Sequence, residues 1–249
     1  MRYNNTLIKI LGFFELLLAS FQGKGWGSET VEKEFSQVMT LLPKKKPKLC
    51  IDIGGNTGAY SEDILSKYPD CSIVIFEPSR TNVEILKQKF QSNSNIFIEQ
   101  VAISNVKGEA TLFSDKDGSG LASLTKRRLK HFNINFSNTE TVKTIKFEDF
   151  WREKLGSKNI DICKIDIEGH ELNALYGFGN SINHIEIIQF EIGGCNIDTR
   201  TYFQDFWYFF EERKFDLFRV SPLGLIKLLR YKESDEFFAP TNYLAKKKV

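Results

Sequence analysis

The chain reads as an α/β protein built on a mostly parallel sheet, and three observations carry that reading. Strand-like and helix-like runs alternate from Lys48 onward. Several of the strand-like runs are apolar almost throughout, as strands covered on both faces must be. The first, LCIDI at 49–53, runs directly into the glycine turn GGNTG, whose missing side chains let backbone approach a ligand. Alternation of this kind argues a parallel sheet with helices on both faces. Right-handed crossovers then gather the C-terminal strand ends on one edge, where open sheets bind their ligands.

The elements follow in order. Residues 7–21, LIKILGFFELLLASF, are apolar on most sides. Glu15 and Lys9 interrupt them, and the stretch falls short of the ~20 residues a membrane span needs. A charge in the middle also disfavours a signal peptide. The expectation is a helix packed on the protein's own body or on a partner, or lying at a membrane surface. GKGWG at 23–27 reads as a joint, VEKEFSQVMTLL at 31–42 as a second amphipathic helix, and PKKKP at 43–47 as its end. Strands are expected at 48–53, 71–77, 96–103, 161–167 and 184–192, with helices at 58–68, 79–91, 147–155 and 170–177. The polar segment 104–146 breaks the alternation. It reads as an insertion with a hairpin (109–113 and 141–146) lying over the binding edge. An aromatic helix at 201–213 follows, then two strands, 215–221 and 237–246, expected to close the sheet as a hairpin. The division is a helical extension over 1–47 and one ligand-binding domain over 48–249.

Composition excludes several classes. Lys and Arg number 34 against 32 Asp and Glu, a net charge of +2, so no basic face calls for nucleic acid. The 41% hydrophobic content and 22 Phe suit a large core. The four cysteines form no C-x-x-C pair, and three fall in strand-like runs, which argues for reduced buried thiols in a cytoplasmic protein, or a membrane-associated one if 7–21 meets lipid.

Asp52 and the glycines narrow the ligand. A P-loop needs Lys then Ser or Thr after its glycines, but Ala59 and Tyr60 follow Gly58. A dinucleotide site wants G-x-G-x-x-G, and GGNTG is one glycine short. An acid beside a pyrophosphate is also repelled by charge. S-adenosylmethionine carries a sulfonium and an ammonium and no phosphate, so the Asp52 carboxylate suits it. Glu77 ends the next strand 25 residues later, followed by Pro78. An acid there accepts hydrogen bonds from ribose hydroxyls in dinucleotide folds.

These motifs converge on a resemblance. DIGGNTGAY, FEP, VAIS at 101–104, KIDIEGHE at 164–171 and FEI at 190–192 resemble, in the same order, the FkbM family of S-adenosylmethionine-dependent O-methyltransferases. The likeness runs from about Lys48 to Ile192, more weakly to the end, and leaves residues 1–47 uncovered. It implies a three-layer, Rossmann-like class I methyltransferase fold: a mostly parallel seven-stranded sheet with an antiparallel C-terminal hairpin. It implies methylation of hydroxyls on glycans, glycolipids or secondary metabolites. Carried over, Asp52, Gly54, Gly55, Asn56 and Thr57 line the methionine end of the cofactor. Glu77 and Pro78 hold the ribose, and Gln100, Val101 and Ala102 flank the adenine. Asn56 stands where many class I enzymes have glycine, as is common in FkbM sequences.

A sugar hydroxyl is a poor nucleophile while protonated, so a general base is expected. Asp166, Glu168 and His170 are the candidates, at the exit of the central strand. Glu171 and Glu191 are candidates for holding the acceptor's other hydroxyls. The clustered carboxylates also admit Mg²⁺, which some O-methyltransferases use, although no dedicated ligand set is visible. KRRLKH at 126–131 reads as a solvated loop or an anion-attracting patch. Three rival functions stand beside the sugar O-methyltransferase: an NAD-dependent oxidoreductase, a non-catalytic Rossmann-like protein that binds partners through its apolar N-terminus, and a protein or nucleic-acid methyltransferase, against which the lack of an N-P-P-Y-like tetrapeptide after the central strand weighs.

Overall fold

The computed structural model describes residues 5–26, 31–42 and 45–248. Gly27 of the expected joint, and Pro43 and Lys44 at the expected end of the second helix, lie outside them. Two helices, α1 (Asn5–Phe21) and α2 (Val31–Thr40), precede the sheet. The strands and helices that follow are β1 (Leu49–Ile53), α3 (Ala59–Lys67), β2 (Ser72–Phe76), α4 (Arg80–Lys89), β3 (Ile96–Glu99), β4 (Ala102–Ile103), β5 (Gly108–Ser114), β6 (Asn138–Ile145), α5 (Phe147–Glu153), β7 (Ile160–Ile165), α6 (Glu171–Tyr176), β8 (Ile185–Ile192), α7 (Cys195–Thr199), α8 (Phe203–Glu212), β9 (Phe215–Ser221), β10 (Gly224–Leu228) and β11 (Thr241–Lys247).

The main sheet has the order β10-β9-β11-β8-β7-β1-β2-β3. Strands β3, β2, β1, β7 and β8 are parallel, and β11 is antiparallel to both β8 and β9. The order reverses between β1 and β7, which makes the C-terminal ends of these two strands the natural ligand crevice. The fold is thus the expected α/β architecture with a reversed strand. Its C-terminal part is richer than expected. The tight hairpin joins β9 to β10, an eighth strand added at the edge, and β11 returns to insert between β8 and β9. The expected strand at 96–103 also splits. Residues 96–99 join the main sheet, while β4 leaves it for a three-stranded sheet with β6 and β5, the expected insertion hairpin.

Alternation along the strands sorts the core into two layers. Ile51, Ile53, Val74, Phe76, Ile165 and Phe190 pack on one face against Phe147, Phe178, Phe206 and Phe210 from α5, α8 and the turn after α6. Phe190 stacks on Phe206 with centroids 5.2 Å apart and the rings nearly parallel. Cys50, Ile73, Ile75, Ile162 and Ile187 take the other face under Phe35 and Val38 of α2, Tyr60 and Ile64 of α3, and Leu86 of α4. Helix α2 is therefore part of the domain's own layer. Helix α1 is not: none of residues 6–21 is buried, so packing on the protein's own body, one of the expectations for this stretch, is not found. The four cysteines are free and buried.

Candidate active site

The site begins at the turn leaving β1. Gly54 and Gly58 have φ of +83° and +82°, and Asn56 between them has φ of +47°. A Cβ on Gly54 would lie 1.9 Å from the backbone oxygen of Asp166, and one on Gly55 would lie 2.2 Å from Cγ2 of Ile75. The glycines thus let the β1 turn close onto the neighbouring strand ends. Helix α3 starts at Ala59, one residue later than the expected start at 58.

Two hollows meet at this turn. The first is walled by Phe76, Val101, Ile103, Leu112 and Leu124, with Glu77, Pro78, Asn82 and His170 among its polar or turn residues. The second is lined by Asp52, Gly55, Thr57, Tyr60 and Lys164. Gly54, Asn56, Gly120, Asp166 and Glu168 border both, so the site is elongated, apolar at one end and charged at the other. The insertion forms its cover: Ser119, Gly120, Ala122 and Ser123 line the first hollow. Ser123 Oγ donates to the backbone oxygen of Glu168 at 2.8 Å.

Most of the expected cofactor residues converge here. Asp52 is 1% exposed. Its Oδ2 accepts from Ser61 at 2.7 Å, while Oδ1 has no partner among the described residues. Burial raises its pKa, and Lys164 beside it acts the other way. Glu77 accepts from the backbone N–H groups of Asn56 (2.8 Å) and Ser79 (2.9 Å), and burial pushes its carboxyl up to about 7. It therefore braces the glycine turn as well as facing the hollow. Val101 and Ala102 line the apolar end, but Gln100 does not: it is exposed in the bend where β3 and β4 part. A one-residue step at a strand end turns a side chain to the opposite face, which explains that correction.

The KIDIEGHE stretch divides its charges. Lys164 is 8% exposed, lies opposite Asp52 in the β1–β7 register and donates to Asp166 Oδ2 at 2.9 Å. Glu168, with φ of +54°, pairs with Arg127 of the insertion, and burial pushes its carboxyl up to about 7. Arg127 is thus folded inward from KRRLKH rather than solvated. Glu171 is 1% exposed, and its Oε1 accepts from the N–H groups of Ile167 (2.9 Å) and Gly169 (3.1 Å). It braces the turn and lines neither hollow, unlike the acceptor contact expected of it. Glu191 is half-buried, and burial beside Asp166, Glu168 and Glu171 raises its pKa well above the usual carboxylate range.

His170 lines the first hollow, and burial lowers its pKa to about 4, so it is neutral near pH 7. Its Nδ1 lies 3.3 Å from the Asn173 amide nitrogen and its Nε2 3.0 Å from Ser104 Oγ. With Asn173 donating to Nδ1, the ring proton sits on Nε2 and is given to Ser104. That tautomer leaves no ring lone pair free for an acceptor's proton. Asp166 keeps a 39% exposed side chain where the two hollows meet. Asp166, Glu168 and Glu191 are not brought together as a metal site, and among the described residues no other His, Cys, Asp and Glu group is.

Three contributors escaped sequence reasoning. Lys164 was inside a quoted motif, but a lysine in a strand carries no local sign of burial. Arg127 reaches a partner 41 residues away. Glu34 of α2 accepts from Gln189 Nε2 at 2.9 Å, and Gln189 Oε1 accepts from Tyr60 at 2.9 Å. That chain ties the N-terminal layer to the floor of the charged hollow.

Comparison with known proteins gives the family. The model of the methyltransferase FkbM domain matches residues 52–217. The 2-O-methyltransferase NoeI of Sinorhizobium fredii is 25% identical over 168 residues, 64% of this chain and 68% of that protein. Methyltransferase 1 of Beauveria bassiana is 21% identical over 165 residues, 60% of this chain and 66% of its own length. A crystal structure of methyltransferase FkbM from Methylobacillus flagellatus aligns with a TM-score of 0.47 at 14% identity, over 80% of this chain and 44% of that one. The chain therefore spans about two thirds of these curated relatives and less than half of that solved chain. With the family model covering the glycine turn, the carboxylates after β7 and the chain into the start of β9, the chain belongs to the FkbM methyltransferase family.

Proposed function

We propose that the chain is an S-adenosylmethionine-dependent O-methyltransferase that methylates a hydroxyl of a sugar, in a glycan, a glycolipid or a glycosylated metabolite. One observation carries the cofactor reading: the charged hollow pairs an unpartnered, buried Asp52 Oδ1 with the Lys164 ammonium, and it opens into an apolar hollow. A methionyl group has a complementary ammonium and carboxylate, and an adenosine suits the apolar end. In this reading Asp52 meets the ammonium, Lys164 the carboxylate, and Glu77 the ribose. The close approach of the Gly54–Gly55 turn to its neighbours, which a Cβ would block, and the bracing of that turn by Glu77 support a preformed cradle.

When bound, the cofactor supplies an already reactive methyl group. The protein's own contribution is alignment, which supplies about 7–11 kcal/mol in favourable cases, and proton removal from the acceptor. Asp166 is assigned as the proton acceptor because its side chain is open to both hollows and His170 is committed to Ser104 and Asn173. Glu168, which borders both hollows, is assigned to hold a neighbouring hydroxyl of the acceptor, while Glu191, like Glu171, lines neither hollow. The curated relative with a 2-O-methyltransferase name supports oxygen as the target.

Calorimetric titration with S-adenosylhomocysteine, with NAD and ATP as controls, tests the cofactor. Binding of the first alone is expected, and Lys164→Met is expected to weaken it. Binding of NAD instead would restore the oxidoreductase. Acceptor screening with neutral and amphiphilic sugars then tests the target.

A further inference from the structure

Helix α1 is apolar nearly all round, and among the described residues nothing buries residues 6–21. Phe14 sits at the centre of its broadest face, with Ile10, Leu11, Leu17, Leu18 and Phe21 at helical spacing around it. These six side chains are 42–61% exposed. Ile8, Phe13 and Leu16, outside that face, are also exposed. A helix that is hydrophobic on so wide an arc is covered by something broader than one helix seam. No helix among the described residues is long and apolar enough to cross a membrane. Lys9 and Glu15 interrupt α1, and at 17 residues it is too short.

Its root is fixed to a definite place. Gly23 packs against the backbone of Val220, at the end of β9. The N–H of Gly25 donates to Thr241 Oγ1 at 3.0 Å, and Thr241 is the β11 partner of Ile192, the residue after Glu191. The helix therefore leaves from the same sheet edge that carries the candidate active site. Leu223, 80% exposed, stands at the β9–β10 turn on that edge. Lys9, five residues before Phe14, falls on the opposite side of the helix, whereas Lys24 beyond the helix end is tied to the body, its Nζ donating to the backbone oxygen of Ser234 above the Phe237 ring.

From this placement we infer that α1 is an interfacial anchor that lies in the surface of a phospholipid bilayer and turns the active-site edge toward it. Hydrocarbon covers an apolar arc of any width, and Lys9 on the far side of the helix keeps its head among phosphates. Leu223 adds a second apolar contact on the same side. The consequence for the acceptor rests on the methyltransferase reading: its hydroxyl is presented at a membrane surface, on an amphiphilic carrier.

The test is flotation of the full chain with phosphatidylcholine vesicles, with and without phosphatidylglycerol. The unmodified chain is expected to float, more completely with the anionic lipid. Phe14→Asp with Leu18→Asp is expected to lower vesicle partitioning by about tenfold or more, since each removes a buried apolar side chain. Light scattering and S-adenosylhomocysteine calorimetry are run on the same samples. A chain that stays at the bottom, or a variant that floats as well as the parent, overturns the inference. A concentration-dependent dimer that the two substitutions abolish, without flotation, overturns it in favour of a second copy as the cover. Loss of S-adenosylhomocysteine binding with flotation intact strikes the cofactor assignment alone.

Discussion

Asp52 and Asp166 share one sheet face and one chemistry, yet their surroundings separate them. Asp52 is buried beneath α3 at the wall of the charged hollow, with Ser61 on one oxygen and, among the described residues, no partner on the other. Asp166 stays accessible and is held by Lys164. The first can meet a fixed charged group, and the second can meet a proton that comes and goes. Asp166→Asn is therefore expected to lower turnover by about 10²–10⁴-fold, the range of general-base help, while S-adenosylhomocysteine affinity stays within a few-fold. Parent-like turnover in that variant would remove Asp166 as the base. Glu77→Ala separates the other way. It strips an acceptor from the apolar hollow and two braces from the turn, so calorimetry should show at least about a tenfold loss of affinity, as for a charge-assisted hydrogen bond. Retained affinity would mean that the ribose is held elsewhere.

At the scale of elements, the β1 turn and the β7 turn are built against each other. Gly54→Ala puts a methyl group into the backbone of Asp166 at a φ that only glycine adopts freely. The expected cost is at least about 2 kcal/mol in chemical denaturation, together with weakened cofactor binding. An unchanged midpoint would show that the two turns can part. The same elements show what was legible in the sequence. The parallel strands announced themselves because burial on both faces leaves nearly unbroken apolar runs, and Asp52, Glu77 and Asp166 each sit at the end of such a run. The eighth strand did not. GLIKL at 224–228 lies at a sheet edge, half-exposed, where no strict pattern is enforced. Gln100 failed for a similar reason, since a strand that ends at Glu99 decides which way the next side chain turns. Arg127, Glu34 and Lys164 gain their roles from partners on distant segments, which no local period records.

Across the whole molecule, the charge balance is near neutral but its distribution is not. Glu34, Glu77, Glu168 and Glu171 are all pushed up to about 7 by burial, and Glu191 is raised as well. A carboxyl with a raised folded pKa holds its proton more tightly folded than unfolded. Its stabilising contribution is complete below its unfolded pKa, near 4.5, and is lost as pH climbs through about 7. His170, lowered to about 4, works oppositely between pH 4 and its unfolded value of 6.5, but it is one group against five. The thermal midpoint of the ligand-free protein should therefore fall by several degrees between pH 5.5 and pH 8. Glu171→Gln offers the sharper check. The amide mimics the protonated acid that the buried turn favours and cannot ionise, while its oxygen can still accept from Ile167 and Gly169. The variant should lose part of the slope and gain relative stability at pH 8. A midpoint that rises over this interval would mean that the carboxyls stay ionised within the fold, with Lys164 and Arg127 outweighing the cost of burial.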